Sequence, residues 1–196
     1  TLLQLRRALE HKGKAISGLP RNASAEGRPG PRDPAPIDTK VTTFRPGIDD
    51  AGWLTLNARA FADHPEQGGL TQQDLDDRKA EEWFDADDFL ILRDGSDDSR
   101  NGSKGGDMIG FCWLKIDATV DQKQLGEFYA VGIDPDRQGE GLGRVLMDAG
   151  FERLADRGIR TAVLYVEADN EPALALYRRY GFEQHTIDVR YRLAQS

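Results

Sequence analysis

Cysteine is almost missing from this 196-residue chain: there is one, Cys112, and the three histidines, His11, His64 and His185, lie far apart. A lone cysteine excludes an internal disulfide and fits a reducing, cytoplasmic compartment. It falls in an apolar run, where an inert buried thiol is expected. Scattered histidines offer no metal-ligand spacing. Long hydrophobic runs are also missing: none approaches the ~20 residues of a membrane span, and no stretch reads as a signal peptide. Positive charge is in the minority. Lys and Arg number 26 against 34 Asp and Glu, a net charge of −8, which argues against nucleic acid as the main partner. With 38% hydrophobic and 31% charged residues, the chain is polar and has room for one domain plus extra segments.

What is present is concentrated in residues 126–147, GEFYAVGIDPDRQGEGLGRVLM. Phe128, Tyr129, Ala130, Val131 and Ile133 form an apolar, partly β-branched run that reads as a strand. Asp134-Pro135-Asp136 ends it, because proline cannot continue a ladder. Arg137-Gln138-Gly139-Glu140-Gly141-Leu142-Gly143-Arg144 leads straight into an amphipathic helix. A strand, a glycine-rich turn and a helix start together make an anion site: the turn aims several N–H groups into one space, and the helix adds its own unpaired donors and positive dipole end. A diphosphate is the natural occupant. No Lys-Ser or Lys-Thr follows the glycines, so a P-loop is excluded. The alternating spacing, late in the chain, differs from the dinucleotide fingerprint Gly-x-Gly-x-x-Gly.

Gln138-Gly139-Glu140-Gly141-Leu142-Gly143 matches the acetyl-CoA signature Gln/Arg-x-x-Gly-x-Gly/Ala of the GCN5-related N-acetyltransferase family, which the chain resembles from about residue 41 onward. A later signature of that family, Asn-x-x-Ala-x-x-Leu-Tyr-x-x-x-Gly-Phe, appears as Asn170-Glu171-Pro172-Ala173-Leu174-Ala175-Leu176-Tyr177-Arg178-Arg179-Tyr180-Gly181-Phe182. The resemblance implies an α/β fold, a mixed twisted sheet flanked by helices, with acetyl-CoA as co-substrate and no metal.

The rest of the chain reads as follows. Residues 1–10 alternate apolar with polar or basic side chains, as residues 186–194 do, and both read as closing strands. The first residue is Thr rather than Met. Residues 1–10 are therefore expected to close a preceding, related domain in a longer protein. Residues 11–40 hold most of the prolines and almost no large apolar residue, the composition of a disordered linker. The domain proper spans 41–196. Residues 41–45 read as a strand and 48–61 as a helix. Residues 63–69 read as a loop, and Thr71 with Asp74 as the N-cap of a second helix. Strands follow at 89–92 and 108–116, joined by a loose polar connection, 94–107. After the central strand and its helix come a strand at 160–166, a helix at 170–180 stopped by Gly181, and a strand at 183–193. The order β-α-α-β-β-β-α-β-α-β is that of an α/β layer structure.

Within the family, Asn57-Ala58-x-Ala60-Phe61-Ala62-x-His64-Pro65-Glu66-Gln67-Gly68, Glu82-Trp83-Phe84-Asp85, Gly110-Phe111-x-Trp113-x-Lys115 and Leu164-Tyr165-Val166-Glu167-x-Asp169-Asn170 resemble the second half of the mycothiol synthase branch. Its members carry two tandem acetyltransferase domains, and only the second is catalytic. That resemblance implies acetylation of the cysteinyl amine of Cys-GlcN-Ins, a cysteinylated glucosaminyl-inositol, to give mycothiol in actinobacteria. It also implies an N-terminal acetyltransferase-like domain as partner. Glu127 matches the general base, Tyr177 the general acid, and Glu66, Lys115, Glu127 and Tyr165 the acceptor-binding set. Val131, Gly132, Ile133, residues 138–144 and Asn170 to Ala175 match positions along the coenzyme. Tyr180, next to Gly181, is expected to be structural. The chemistry is consistent with these residue types. A cysteinyl amine has a pKa of roughly 8 or below, so a modest base suffices, and a phenol of pKa ~10 can protonate a departing thiolate. Two other readings stay open: an N-acetyltransferase for another small amine or a protein N-terminus, and a non-catalytic coenzyme-binding domain.

Overall fold

The computed structural model describes residues 2–9, 38–95, 106–116 and 125–188. Seven strands form one mixed sheet in the order β2-β3-β4-β5-β6-β1-β7. They are β1 (Leu2–Ala8), β2 (Thr39–Thr43), β3 (Phe89–Asp94), β4 (Met108–Lys115), β5 (Leu125–Ile133), β6 (Thr161–Glu167) and β7 (Glu183–Asp188). Helices α1 (Asp50–Ala60), α2 (Pro65–Gly68) and α3 (Gln72–Lys79) precede β3; α4 (Leu142–Asp156) links β5 to β6, and α5 (Glu171–Arg179) links β6 to β7. None of the described helices is long and apolar enough to cross a membrane.

Strand periodicity sorts the core into two layers. In β3, Phe89 and Ile91 face α1 and α3, while Leu90 and Leu92 face the opposite cluster. In β4, Phe111 and Trp113 face the first cluster and Cys112 and Leu114 the second. Both faces are covered, so these strands read as continuous apolar runs rather than alternating ones. Trp53 of α1 anchors one layer, edge-on to Phe89 and Trp113, whose own rings stack at 4.2 Å. Leu142, Leu146, Met147 and Leu154 of α4 build the other layer, with Leu174 of α5.

Three features depart from the expectations, and one strand takes a seat that they had not specified. β2 begins at Thr39, inside the stretch read as linker; residues 10–37 lie outside the described residues, as do 96–105 of the 94–107 connection and 189–193 of the last strand. The first helix starts at Asp50, not Ile48, which is 70% exposed. The Asp49 carboxylate instead ties back to the Arg45 N–H and guanidinium, and Asp50 accepts from the Gly47 N–H. The loop at 63–69 contains the helical turn α2. Finally, β1 lies inside this sheet, antiparallel to both β6 and β7.

The feature that shapes the site is where β5 and β6 part. They pair in parallel only over Leu125 to Phe128 and Thr161 to Leu164, yet run on to Ile133 and Glu167. Tyr129 is an extra residue in the β4–β5 register, since Trp113 opposes Ala130 and Leu114 opposes Phe128. Such a bulge bends its strand. Beyond it the two strands open into a wedge at their C-terminal ends, the usual place for a ligand in an open α/β sheet.

Candidate active site

The glycine-rich turn forms the floor of that wedge. Asp134 stops β5 and caps a short turn through its carboxylate, 3.0 Å from the Asp136 N–H. Arg59 at the end of α1 pins the same place, at 2.7 Å from both Asp134 and Asp136. Gly139 and Gly141 have φ of +84° and +80°, and nothing lies within 4 Å of where a Cβ would stand on either. Backbone shape, not crowding, therefore requires glycine here. Gly141 is the N-cap of α4; no side chain caps the helix and no acidic residue sits in its first turn. The Arg144 N–H donates to the Gly141 carbonyl at 3.0 Å, which leaves the N–H groups of Leu142 and Gly143 and the dipole end for an external anion. Glu140 is neutralised by Arg137, 2.8 Å away.

One edge of the wedge is the free side of β5. The Asp134 N–H donates to the Ile109 carbonyl across the β4 side. Strand alternation then turns the N–H groups of Val131 and Ile133 away from β4, into the opening. The far wall is α5. Asn170 caps it, its Oδ1 accepting from the Ala173 N–H at 3.2 Å. Pro172 stands in the first turn, so Asn170 through Ala175 form an ordinary helix start beside the wedge.

Lys115, Glu127 and Val163 are level on β4, β5 and β6. Lys115 stands over the Trp83 ring, its Nζ 5.0 Å from the centroid. Glu127 is half-buried. Burial raises its pKa above the ordinary carboxylate value, and the Lys115 ammonium opposes that rise. Tyr165, two residues past Val163, is exposed between buried Leu164 and Val166. A cation, a carboxylate with raised pKa and a phenol thus share one face.

Tyr177 and Tyr180 separate cleanly. Tyr177 packs against the core and against Phe182, with ring centroids 5.9 Å apart, and burial pushes its pKa up to about 12. Among the described residues its hydroxyl has no hydrogen-bond partner. The Tyr180 hydroxyl is committed: it lies 2.6 Å from Asp148 Oδ1 and 3.1 Å from the Arg144 carbonyl, tying α5 to α4.

Residues 57–182 match the acetyltransferase (GNAT) family. The chain belongs to that family. Among curated GNAT relatives, the mycothiol acetyltransferase of Streptomyces coelicolor is 48% identical over 97% of this chain and 54% of its own length. That of Kytococcus sedentarius is 50% identical over 80% of this chain and 49% of its own length. The chain therefore spans about half the length of the curated relatives it matches. Among solved GNAT structures, a GCN5-related N-acetyltransferase from Sphaerobacter thermophilus superposes with a TM-score of 0.65 at 21% identity, covering 94% of this chain and 48% of that one. AAC(6')-Iy, solved with the bisubstrate analogue CoA-S-monomethyl-acetylneamine, gives 0.56 at 17% identity, covering 80% and 99%. At these identities the structural likeness is one of fold.

Lys115, Glu127 and Tyr165 share one face of the sheet, the turn at 138–144 follows the free edge of β5, and Tyr177 packs into the layer on the other face. Glu66 is exposed on α2. Its neighbours in the His-Pro-Glu-Gln-Gly motif have structural work. Buried Asn57 donates to the Gln67 carbonyl at 2.6 Å, and a Cβ on Gly68 would come within 2.4 Å of the Phe61 carbonyl oxygen. Sequence reasoning gave no role to Trp83, which holds Lys115, or to Arg78, whose Nε donates to the Tyr129 hydroxyl at 3.0 Å. Trp83 lay within a motif quoted for the resemblance; nothing local marked Arg78.

Proposed function

We propose that this chain is the catalytic half of a tandem-domain N-acetyltransferase that transfers acetyl from acetyl-CoA to the cysteinyl amine of Cys-GlcN-Ins, forming mycothiol in the cytoplasm. Two findings taken together carry the reading. Glu127, a carboxylate whose burial favours holding a proton, lies level with Lys115 and beside the wedge, and the chain is 48% identical to a relative named for mycothiol acetylation. In this reading a further acetyltransferase-like domain precedes residues 10–37, and β1, its last strand in chain order, is seated in the present sheet between β6 and β7.

The coenzyme's diphosphate rests on the N–H groups at 138–144, and its arm runs along the Val131–Ile133 edge toward Glu127, flanked by the start of α5. Coenzyme bound there supplies an activated thioester. The acceptor enters over Lys115, Tyr165 and Glu66. Glu127 takes a proton from the amine, directly or through one water, as nitrogen attacks the thioester carbon. The Val131 N–H stabilises the oxyanion that forms. The C–N bond is completed as the C–S bond breaks, and the thiolate leaves. Tyr177 faces that thiolate as a donor. With its pKa pushed up to about 12 against ~8.5 for a thiol, complete proton transfer is uphill by several kcal/mol. The hydroxyl therefore acts first by hydrogen-bonding the departing sulfur, which takes its final proton from Tyr177 or solvent.

The test is turnover with Cys-GlcN-Ins beside a panel of amino sugars, aminoglycosides and peptide N-termini. Preferred acetylation of the cysteinyl amine is expected. Turnover of another amine with none of Cys-GlcN-Ins rejects the substrate assignment, and coenzyme binding without turnover of any amine rejects catalysis.

A further inference from the structure

The strand that precedes residues 10–37 reaches the acceptor face. In the antiparallel register of β1 and β6, Gln4 lies opposite Tyr165 and Arg6 opposite Val163. Val163 is level with Glu127. Paired residues share a face, so Gln4 and Arg6 rise on the same side as Glu127, Lys115 and Tyr165. Leu3 and Leu5 take the other side and pack into the layer under α4 and α5.

Two hydrogen bonds link these side chains in series. Arg6 Nε donates to Gln4 Oε1 at 3.1 Å, and Gln4 Nε2 donates to Tyr165 Oη at 2.5 Å. A guanidinium has donors only, so it settles which end of the carboxamide faces it: the oxygen. The amide nitrogen is thereby turned to Tyr165, whose oxygen accepts. The tyrosine's own proton must then point elsewhere. Tyr165 is 40% exposed, so that proton is presented above the acceptor face.

We propose that Gln4, oriented by Arg6, is a specificity-determining positioning residue: it sets Tyr165 as a hydrogen-bond donor toward an oxygen of a polyhydroxylated acceptor. The inference rests on the reading of this face as the acceptor site. It adds that part of the site's selectivity is supplied from ahead of residues 10–37.

The test is a double-mutant cycle on the whole protein, with acceptor KM measured at saturating acetyl-CoA. Gln4→Glu keeps shape and the bond to Arg6, but a carboxylate only accepts, so it draws the Tyr165 proton to itself. Acceptor KM for Cys-GlcN-Ins is expected to rise about tenfold, the worth of one hydrogen bond, with KM for acetyl-CoA unchanged. Tyr165→Phe should give a similar rise, and Gln4→Glu should add nothing in that background. Cysteine methyl ester, which lacks the hydroxyl-bearing rings, should be indifferent to both changes. An unmoved acceptor KM, or effects that simply add, overturns the proposal. If wild type ignores Cys-GlcN-Ins but acetylates another amine, the substrate assignment has failed, and the same cycle on that amine decides this inference. If no amine is turned over, both fall.

Discussion

Burial lifts the Glu127 pKa while the Lys115 ammonium opposes it, which sets the sign of a linkage between fold and pH. A carboxyl with a folded pKa above its unfolded value, ~4.3, keeps its proton longer in the native state. Stability therefore falls as pH rises through the window between the two values and stays lower above it. Glu127→Gln removes that penalty. At neutral pH the variant should melt higher than wild type, the gap closing near pH 4, while turnover drops about a hundred- to ten-thousand-fold with loss of the acid limb of the pH–rate profile. Calorimetry and kinetics on the same samples check both halves; joint loss of stability and turnover would make Glu127 a structural residue. Tyr177 and Tyr180 offer a matched contrast. Tyr177→Phe should lower turnover about a hundredfold with coenzyme affinity retained. Tyr180→Phe should spare turnover and cost about 1 kcal/mol of stability, because its hydroxyl serves Asp148 and the Arg144 carbonyl.

At the scale of elements, the proposed function makes coenzyme binding depend on the start of α4. Gly141→Ala places a Cβ in open space but forces a left-handed backbone at φ +80°, a cost of about 1–2 kcal/mol unless the turn relaxes. Relaxation would turn N–H groups away from the diphosphate. KM for acetyl-CoA should therefore rise much more than KM for the acceptor; equal rises would detach this turn from the coenzyme. Elements closed by near neighbours were legible in the sequence. Thr71 and Asp74 form the capping box that their spacing suggested, at 2.7 and 3.2 Å. The stop at Asp134-Pro135 and the helix after Gly141 fall where the residues put them. The turn α2 was not legible, because part of what holds it is distant: Asn57, ten positions earlier, takes the Gln67 carbonyl.

For the molecule as a whole, the consequential feature is β1 standing between β6 and β7. β7 has no other described strand partner, so its ladder depends on a segment from the opposite end of the chain. Deleting residues 1–9 should leave β6 and β7 with unpaired edges, and a chain starting at residue 38 should melt far lower or aggregate. Thermal melts followed by circular dichroism check this; an unchanged midpoint would mean that β1 is dispensable.

The amino-acid order sufficed for most of the strands, for the Thr71–Asp74 cap and for the glycine-rich turn into α4, since each depends on residues a few positions apart and on backbone preferences that travel with the residue type. It did not suffice for the seat of β1, for the level alignment of Lys115, Glu127 and Val163, or for the burial that raises the Glu127 pKa. Those depend on register between strands remote in the chain and on a local dielectric made by many side chains together. Both exist only once the sheet has closed around them.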